Sequence, residues 1–173
     1  MGGMIAQAAA IRHPERVRSL TSIMSTTGNP DLPPASPEAM AILTDAMPED
    51  RQAVIERSLK SDAVIGSPGY PGDPALLRKR AGMLFDGAVH PGGSARRKAA
   101  IMAHGDRGPA LRKIDGPTLI IHGQADALVP VAGGIDTHEA IAGSELMLIE
   151  GMGHNLPPQL WDRIVERISA LTA

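Results

Sequence analysis

Pro117-Thr-Leu-Ile-Ile-His122-Gly-Gln-Ala-Asp126-Ala-Leu-Val-Pro130 is the stretch on which the reading of this chain turns. Its first half is a short, apolar, β-branched run that follows Gly116-Pro117 and stops at Gly123. Such a run is the pattern of a strand buried on both faces, as in a parallel sheet covered by helices. Its second half sets one carboxylate, Asp126, on the turn leaving that strand. Open α/β sheets place their chemistry at the carboxyl ends of the strands, which makes Asp126 a candidate functional group. An Asp in that place also serves as a turn or helix cap, and the pattern alone leaves both readings open.

Downstream, Gly134 to Ala142 reads as a helix stopped at Gly143, and Glu145-Leu-Met-Leu-Ile-Glu150 as another strand. A turn-rich loop, Gly151-Met-Gly-His154-Asn-Leu-Pro-Pro158, leads to Trp161, Ile164, Val165, Ile168 and Leu171 at helical spacing, which predicts an amphipathic terminal helix. Upstream, Met4, Ala8 and Ile11 share one face of a helix that Pro14 ends, and Val17 to Met24 reads as a further buried strand closed by Gly28-Asn-Pro30. Strands alternating with helices at this pitch predict a parallel sheet with helices outside it. A helix at residue 2 or 3 with no strand ahead of it predicts a chain that starts in mid-fold.

Between Asp31 and Arg107 the texture changes to short helices punctuated by Pro and Gly, with no convincing strand. Helix starts are marked at Pro48-Glu-Asp50 and, by cap plus first-turn proline, at Asp73-Pro74. The second of these carries Leu77, Ala81 and Leu84 on one face, and a third helix spans about Ser94 to Ala103. The expected division is a core of residues 1–30 and 108–173 with a helical insertion at 31–107. That insertion reads equally as a lid or as an ordinary set of structural helices.

The 173 residues suffice for one domain with a sizeable core. Aromatics are only 2% of the chain, so its nine Met become the flexible core filler and predict an adaptable apolar pocket. Lys plus Arg number 17 against 19 acidic residues, with no long run of one sign, which argues against a nucleic-acid partner. Cys is absent, which removes disulfides, thiolate catalysis and Cys-ligated zinc. No apolar run is long enough for a membrane span and no leader pattern opens the chain, so no membrane partner and a cytoplasmic location are expected.

His154 follows one strand as Asp126 follows its neighbour, so parallel pairing would bring both side chains to the same edge of the sheet. An acid beside an imidazole is the orienting half of a nucleophilic triad: the carboxylate fixes the tautomer, and the ring takes the nucleophile's proton. Their separation of 28 positions accommodates one helix and one strand.

The segments HGQADALVP (122–130) and EGMGHNLPP (150–158), with Ser67-Pro-Gly-Tyr-Pro71 and Gly133-Gly-Ile-Asp-Thr137, carry a resemblance. The chain resembles α/β-hydrolase-fold proteins, and among them aclacinomycin methylesterase-like ester hydrolases, over nearly its whole length. The resemblance implies a partial α/β-hydrolase fold with the last three parallel strands, flanking helices and an inserted helical lid. It also implies carboxylic-ester hydrolysis without a cofactor, with Asp126 orienting His154. In that family the nucleophile is the serine of a GxSxG elbow, and Met1-Gly2-Gly3 matches the residues after that serine. Met1 would then hold the position whose backbone amide forms half of the oxyanion hole, although as a chain terminus it carries an ammonium. Thr26, Met83, Leu84 and Val129 would line the substrate site.

No GxSxG occurs in the 173 residues, and the earlier strands, on the order of 100 residues, are missing as well. Ser67 and Ser94 do not follow a buried strand into a helix, and Ser25 and Thr26 read as turn and pocket residues. The expectation is therefore that this chain alone has no triad-dependent esterase activity. The rival expectation is a non-catalytic ligand-binding protein, or a fragment that associates with itself or a complementing chain through the exposed strand at 17–24. A start placed at an internal Met is a third reading, which the bases upstream would decide. No metal is expected: the six His show no HxH or HExxH spacing, with His13, His90, His104 and His138 scattered and His122 suited to a local hydrogen bond. No GxGxxG follows a strand, and Gly133-Gly134 reads as a helix-start turn.

Overall fold

The computed structural model describes residues 1–45, 47–87 and 93–172. At its centre, β2 (Thr118–Gly123) is buried at every position. β2 pairs in parallel with β1 (Leu20–Ile23) on one side and with β3 (Glu145–Ile149) on the other. Spatial order equals chain order, β1-β2-β3, so all three carboxyl ends lie at one edge. The open, three-stranded parallel sheet with flanking helices is the α/β architecture expected from the alternation.

The two-residue period of β2 sends Leu119 and Ile121 to one face of the sheet, and a second apolar cluster lies apart from them. Leu119 and Ile121 join Ile149, Met152, Leu160 and Ile164 in one cluster, against which Ile168 and Leu171 pack. These last residues belong to α8 (Trp161–Thr172). The other cluster gathers Ala10, Leu20, Leu111, Ala140 and Ile141. It is contributed largely by α1 (Gly2–Arg12), α6 (Gly108–Leu111) and the end of α7 (Val131–Ala140). Trp161 and Val165 were expected on the apolar face of α8 but are 46% and 60% exposed, because that face is centred on Ile164, Ile168 and Leu171.

Between β1 and α6 run α2 (Pro37–Thr44), α3 (Arg51–Ile65), α4 (Pro74–Gly87) and α5 (Gly93–His104). Ser36 and Asp50 cap α2 and α3 by accepting from the third amide beyond, at 3.1 Å and 2.8 Å. The start expected at Pro48-Glu-Asp50 is realised with Asp50, the last of these, as the cap and Arg51 as the first helical residue. Sequence periodicity did not reveal α2 or the single-turn α6, whose apolar positions are too few to set a period. β1 is shorter than the expected 17–24: Met24 leaves the strand with φ of 47°, in the left-handed region. That conformation costs a non-glycine residue about 1–2 kcal/mol.

A buried arginine ties the β1 exit to the helices. The Arg107 guanidinium donates to Gln7 Oε1 at 2.9 Å and to the Thr26 carbonyl at 2.7 Å. Burial pushes its pKa below the ordinary value, and nearby Asp106 works in the opposite direction. Replacing Arg107 with Leu leaves two acceptors without a donor, each worth about 1–3 kcal/mol. Urea denaturation of R107L is expected to show a loss of about 2 kcal/mol or more; unchanged stability would contradict the clamp.

Candidate active site

β2 delivers the acid. The chain leaves Gly123 in a turn where Gln124 N donates to the Ile149 carbonyl at 3.0 Å and Ala125 N to the Met152 carbonyl at 2.9 Å. The acid loop is thereby laid on the end of β3 and the loop that follows it. Asp126 Oδ1 accepts the Leu128 and Val129 amides at 2.9 Å and 2.8 Å. This is an Asx turn, so the oxygen that caps the turn and the oxygen that faces His154 are different ones of one carboxylate.

The second oxygen faces the histidine. Asp126 Oδ2 lies 2.7 Å from His154 Nδ1, with the Asp side chain wholly buried and 20% of the His side chain exposed. A carboxylate only accepts, so Nδ1 carries the proton. Nε2 makes no hydrogen bond among the described residues and is the nitrogen left to take a proton. Charge-assisted contacts of this kind are among the strong hydrogen bonds, and burial of the acid raises their worth.

A family model described as the alpha/beta hydrolase fold matches residues 1–159. The chain belongs to the alpha/beta hydrolase fold family. It is 30% identical over 155 residues to a 2-hydroxy-6-oxononadienedioate/2-hydroxy-6-oxononatrienedioate hydrolase of Klebsiella pneumoniae, an alignment covering 89% of this chain and 53% of the relative. It is 32% identical over 135 residues to a pimeloyl-acyl-carrier protein methyl ester esterase of Yersinia enterocolitica, covering 75% of this chain and 50% of the relative. A solved meta-cleavage product hydrolase from Pseudomonas fluorescens superposes with a TM-score of 0.74 at 20% identity, over 98% of this chain and 61% of that one. The chain thus spans about half the length of the relatives it matches.

The other residues expected at the site of this hydrolase-fold chain are placed unevenly. Val129 meets the acid through its backbone: its amide holds Asp126, and its carbonyl lies 2.8 Å from His122 Nε2. Thr26 is half-buried at the β1 exit, its hydroxyl accepting from Gly28 N at 3.2 Å. Met1 caps α1, its carbonyl accepting from Ile5 N at 3.1 Å. Met83 and Leu84, expected as pocket wall, stand 63% and 74% exposed. The packed face of α4 is instead centred on Ala81 and Phe85, which leaves Leu84 at its margin and Met83 opposite. The side chain of Ser94 and the whole of His90 lie outside the described residues. A cavity of about 310 Å³ lined by Ala10, Leu20, Ile114 and Thr118 opens at the amino ends of the strands, away from the Asp-His pair.

Three supporting groups were missed or under-read in the sequence. His122 is fully buried, and a carbonyl partner requires its Nε2 to be the protonated nitrogen. Its Nδ1 has no partner and abuts Gly134, where an added Cβ would stand 2.5 Å away. Gly133-Gly134 is therefore not a turn before the helix; it lies inside the first turns of α7 and lets that helix close on β2. Ser67 and Asn155 form the third contact set, joining the insertion to the His154 loop.

Burial lowers the His122 pKa, with His154 adding to the effect and the Val129 and Asp126 contacts opposing it. A histidine held neutral in the fold binds a proton on unfolding, at about 6.5. Its contribution to stability is present above that value and is lost as pH falls toward the lowered folded value, by at most about 1.4 kcal/mol per pH unit. Urea unfolding between pH 7 and 5 is expected to be less pH-dependent in His122→Asn than in the parent; parallel profiles would contradict a neutral His122.

The Asp126 turn also predicts the outcome of Asp126→Asn. Two backbone amides demand the carboxamide oxygen, so the amide NH2 faces His154 and requires an acceptor there. Side-chain 15N NMR is expected to show His154 switching from the Nδ1–H to the Nε2–H tautomer, whereas retention of Nδ1–H would contradict the assigned geometry.

Proposed function

We propose that this chain carries the acid and base of a Ser-His-Asp triad for carboxylic-ester hydrolysis, with the nucleophilic serine outside its 173 residues. The observation that carries the reading is the 2.7 Å contact between His154 Nδ1 and the buried Asp126 Oδ2. His154 Nε2 takes the serine proton as the hydroxyl attacks the ester carbonyl, and Asp126 stabilises the imidazolium that forms. The imidazolium then protonates the departing alkoxide. Water, deprotonated by the same nitrogen, releases the acid from the acyl-serine and regenerates the hydroxyl.

In this reading residues 31–107 form a lid on a core of 1–30 and 108–173, and Thr26 and Val129 border the substrate at the carboxyl edge of the sheet. The Met1 amide is the proposed half of an oxyanion hole. The proposed ester substrate is supported by similarity to an enzyme named for a methyl ester, and the aclacinomycin methylesterase-like subgroup by the sequence motifs alone. Among the described residues no helix is long and apolar enough to cross a membrane; the cytoplasmic setting belongs to the proposal and rests on the sequence reading alone.

The second reading is a non-catalytic or partner-complemented fragment. It is favoured by β1, which among the described residues has a strand neighbour only on its β2 side. Self-association through that edge would appear as a dimer in size-exclusion chromatography, and a stable monomer would count against it.

For the triad reading, an activated-ester assay of the 173-residue chain is expected to show no turnover above buffer. Turnover that His154→Ala abolishes, with a serine labelled by a phosphonate, would place the nucleophile inside this chain and overturn the proposal.

A further inference from the structure

The His154 loop takes most of its anchorage from the insertion. Met152 rests on the core, where its N donates to the Ile149 carbonyl and its carbonyl accepts from Ala125, whereas Gly151 before it meets the insertion. Beyond Met152 the partners change. His154 N donates to the Ile65 carbonyl at 2.7 Å, Gly153 N donates to Ser67 Oγ at 2.9 Å, and Ser67 Oγ donates to Asn155 Oδ1. All three anchors come from residues 65–67, the exit of α3.

The backbone amides fix the first two directions, and Asp62 fixes that of the Ser67–Asn155 bond. Its carboxylate can only accept, and Asn155 Nδ2 faces Asp62 Oδ1 at 3.3 Å. Asn155 must therefore turn its oxygen toward Ser67, whose hydroxyl donates to it and keeps a lone pair for the Gly153 amide. The two backbones also meet without room for side chains: a Cβ on Gly153 would stand 2.0 Å from the Gly66 carbonyl oxygen, and one on Gly69 would stand 2.9 Å from Gly151 Cα. Gly69 N adds a bond to the Gly151 carbonyl at 2.9 Å. Contact this close transmits displacement of one loop to the other.

We propose that Ser67 is a positioning residue for His154, holding the Gly153 amide on one side of the imidazole and the Asn155 side chain on the other so that the insertion sets where the base stands against Asp126. This rests on the acid-base reading of Asp126 and His154, and gives the insertion a part in it besides covering the substrate. Ser67 is 5% exposed and acts from behind the loop, with no role as a nucleophile.

The test monitors the His154 Nδ1–H by side-chain-labelled NMR in the full chain, with the buried His122 Nε2–H as internal reference. The parent is expected to show a protected His154 Nδ1–H. In Ser67→Ala its solvent exchange is expected to accelerate at least tenfold while His122 changes less than twofold, and Ser67→Thr, which keeps the hydroxyl, is expected to restore protection. Equal acceleration at both histidines would mean general loosening and would overturn the proposal, as would exchange within twofold of the parent in Ser67→Ala. Should Ser67→Ala fail to fold, Asn155→Ala carries the test. It removes the two side-chain bonds of Asn155, to Ser67 and to Asp62, and leaves Gly153 held, so at least a threefold acceleration at His154 alone is expected, and none would overturn the proposal. A parent chain with no protected Nδ1–H would overturn both this proposal and the acid-base reading, whereas a protected parent with an unaffected Ser67→Ala overturns this one only.

Discussion

Asp126 is a carboxylate whose side chain is wholly out of water, and the loops around it have to answer that fact. An ionised carboxyl removed from water costs several kcal/mol unless donors replace its hydration. Two come from the amides of Leu128 and Val129, which fold the acid's own loop around one oxygen. The other oxygen needs a donor from elsewhere, and His154 supplies it. His122, beneath the turn, fixes the Val129 carbonyl and so holds the amide that serves Asp126. The acid thus orders three segments of chain: the β2 exit, the start of α7 and the loop after β3.

The insertion grips both site loops, at different places. Ser36 N, at the N-terminus of α2, donates to the Ala127 carbonyl in the acid loop at 2.9 Å. The exit of α3 holds the histidine loop through Ile65 and Ser67. Helices inserted between two strands are free to be variable surface, but here the start of α2 bonds the Asp126 loop and the exit of α3 the His154 loop. α4 by contrast packs mainly on α3, with Met83 and Leu84 facing outward, and α5 is exposed over nearly all its length.

Much of this was legible in the sequence wherever a strong periodicity or a strict chemical requirement fixed the answer. A fully apolar β-branched run admits little besides a buried strand, so β2 and its carboxyl-end acid could be read directly, and His154 followed from strand order. The chain's place in the alpha/beta hydrolase fold family was legible from four short segments and is borne out by the family match over residues 1–159. Side-chain direction within the irregular helices was not legible. Leu77, Ala81 and Leu84 fit one helical face, yet the neighbour that decides which face is buried is α3, whose Arg51 guanidinium lies against Gly82. Ser67 was dismissed because it lacks the context of a nucleophile. Its partners, Gly153 and Asn155, lie 86 and 88 positions away, and no local pattern announces a bond across that separation.

The central claim is that the Asp126 carboxylate and the His154 imidazole are energetically coupled within this chain. A double-mutant cycle measures this most directly: Asp126→Ala, His154→Ala and the double variant, compared with the parent by urea denaturation at neutral pH. The account predicts a coupling energy of about 1 kcal/mol or more. Single-variant losses that add to within about 0.3 kcal/mol would contradict it.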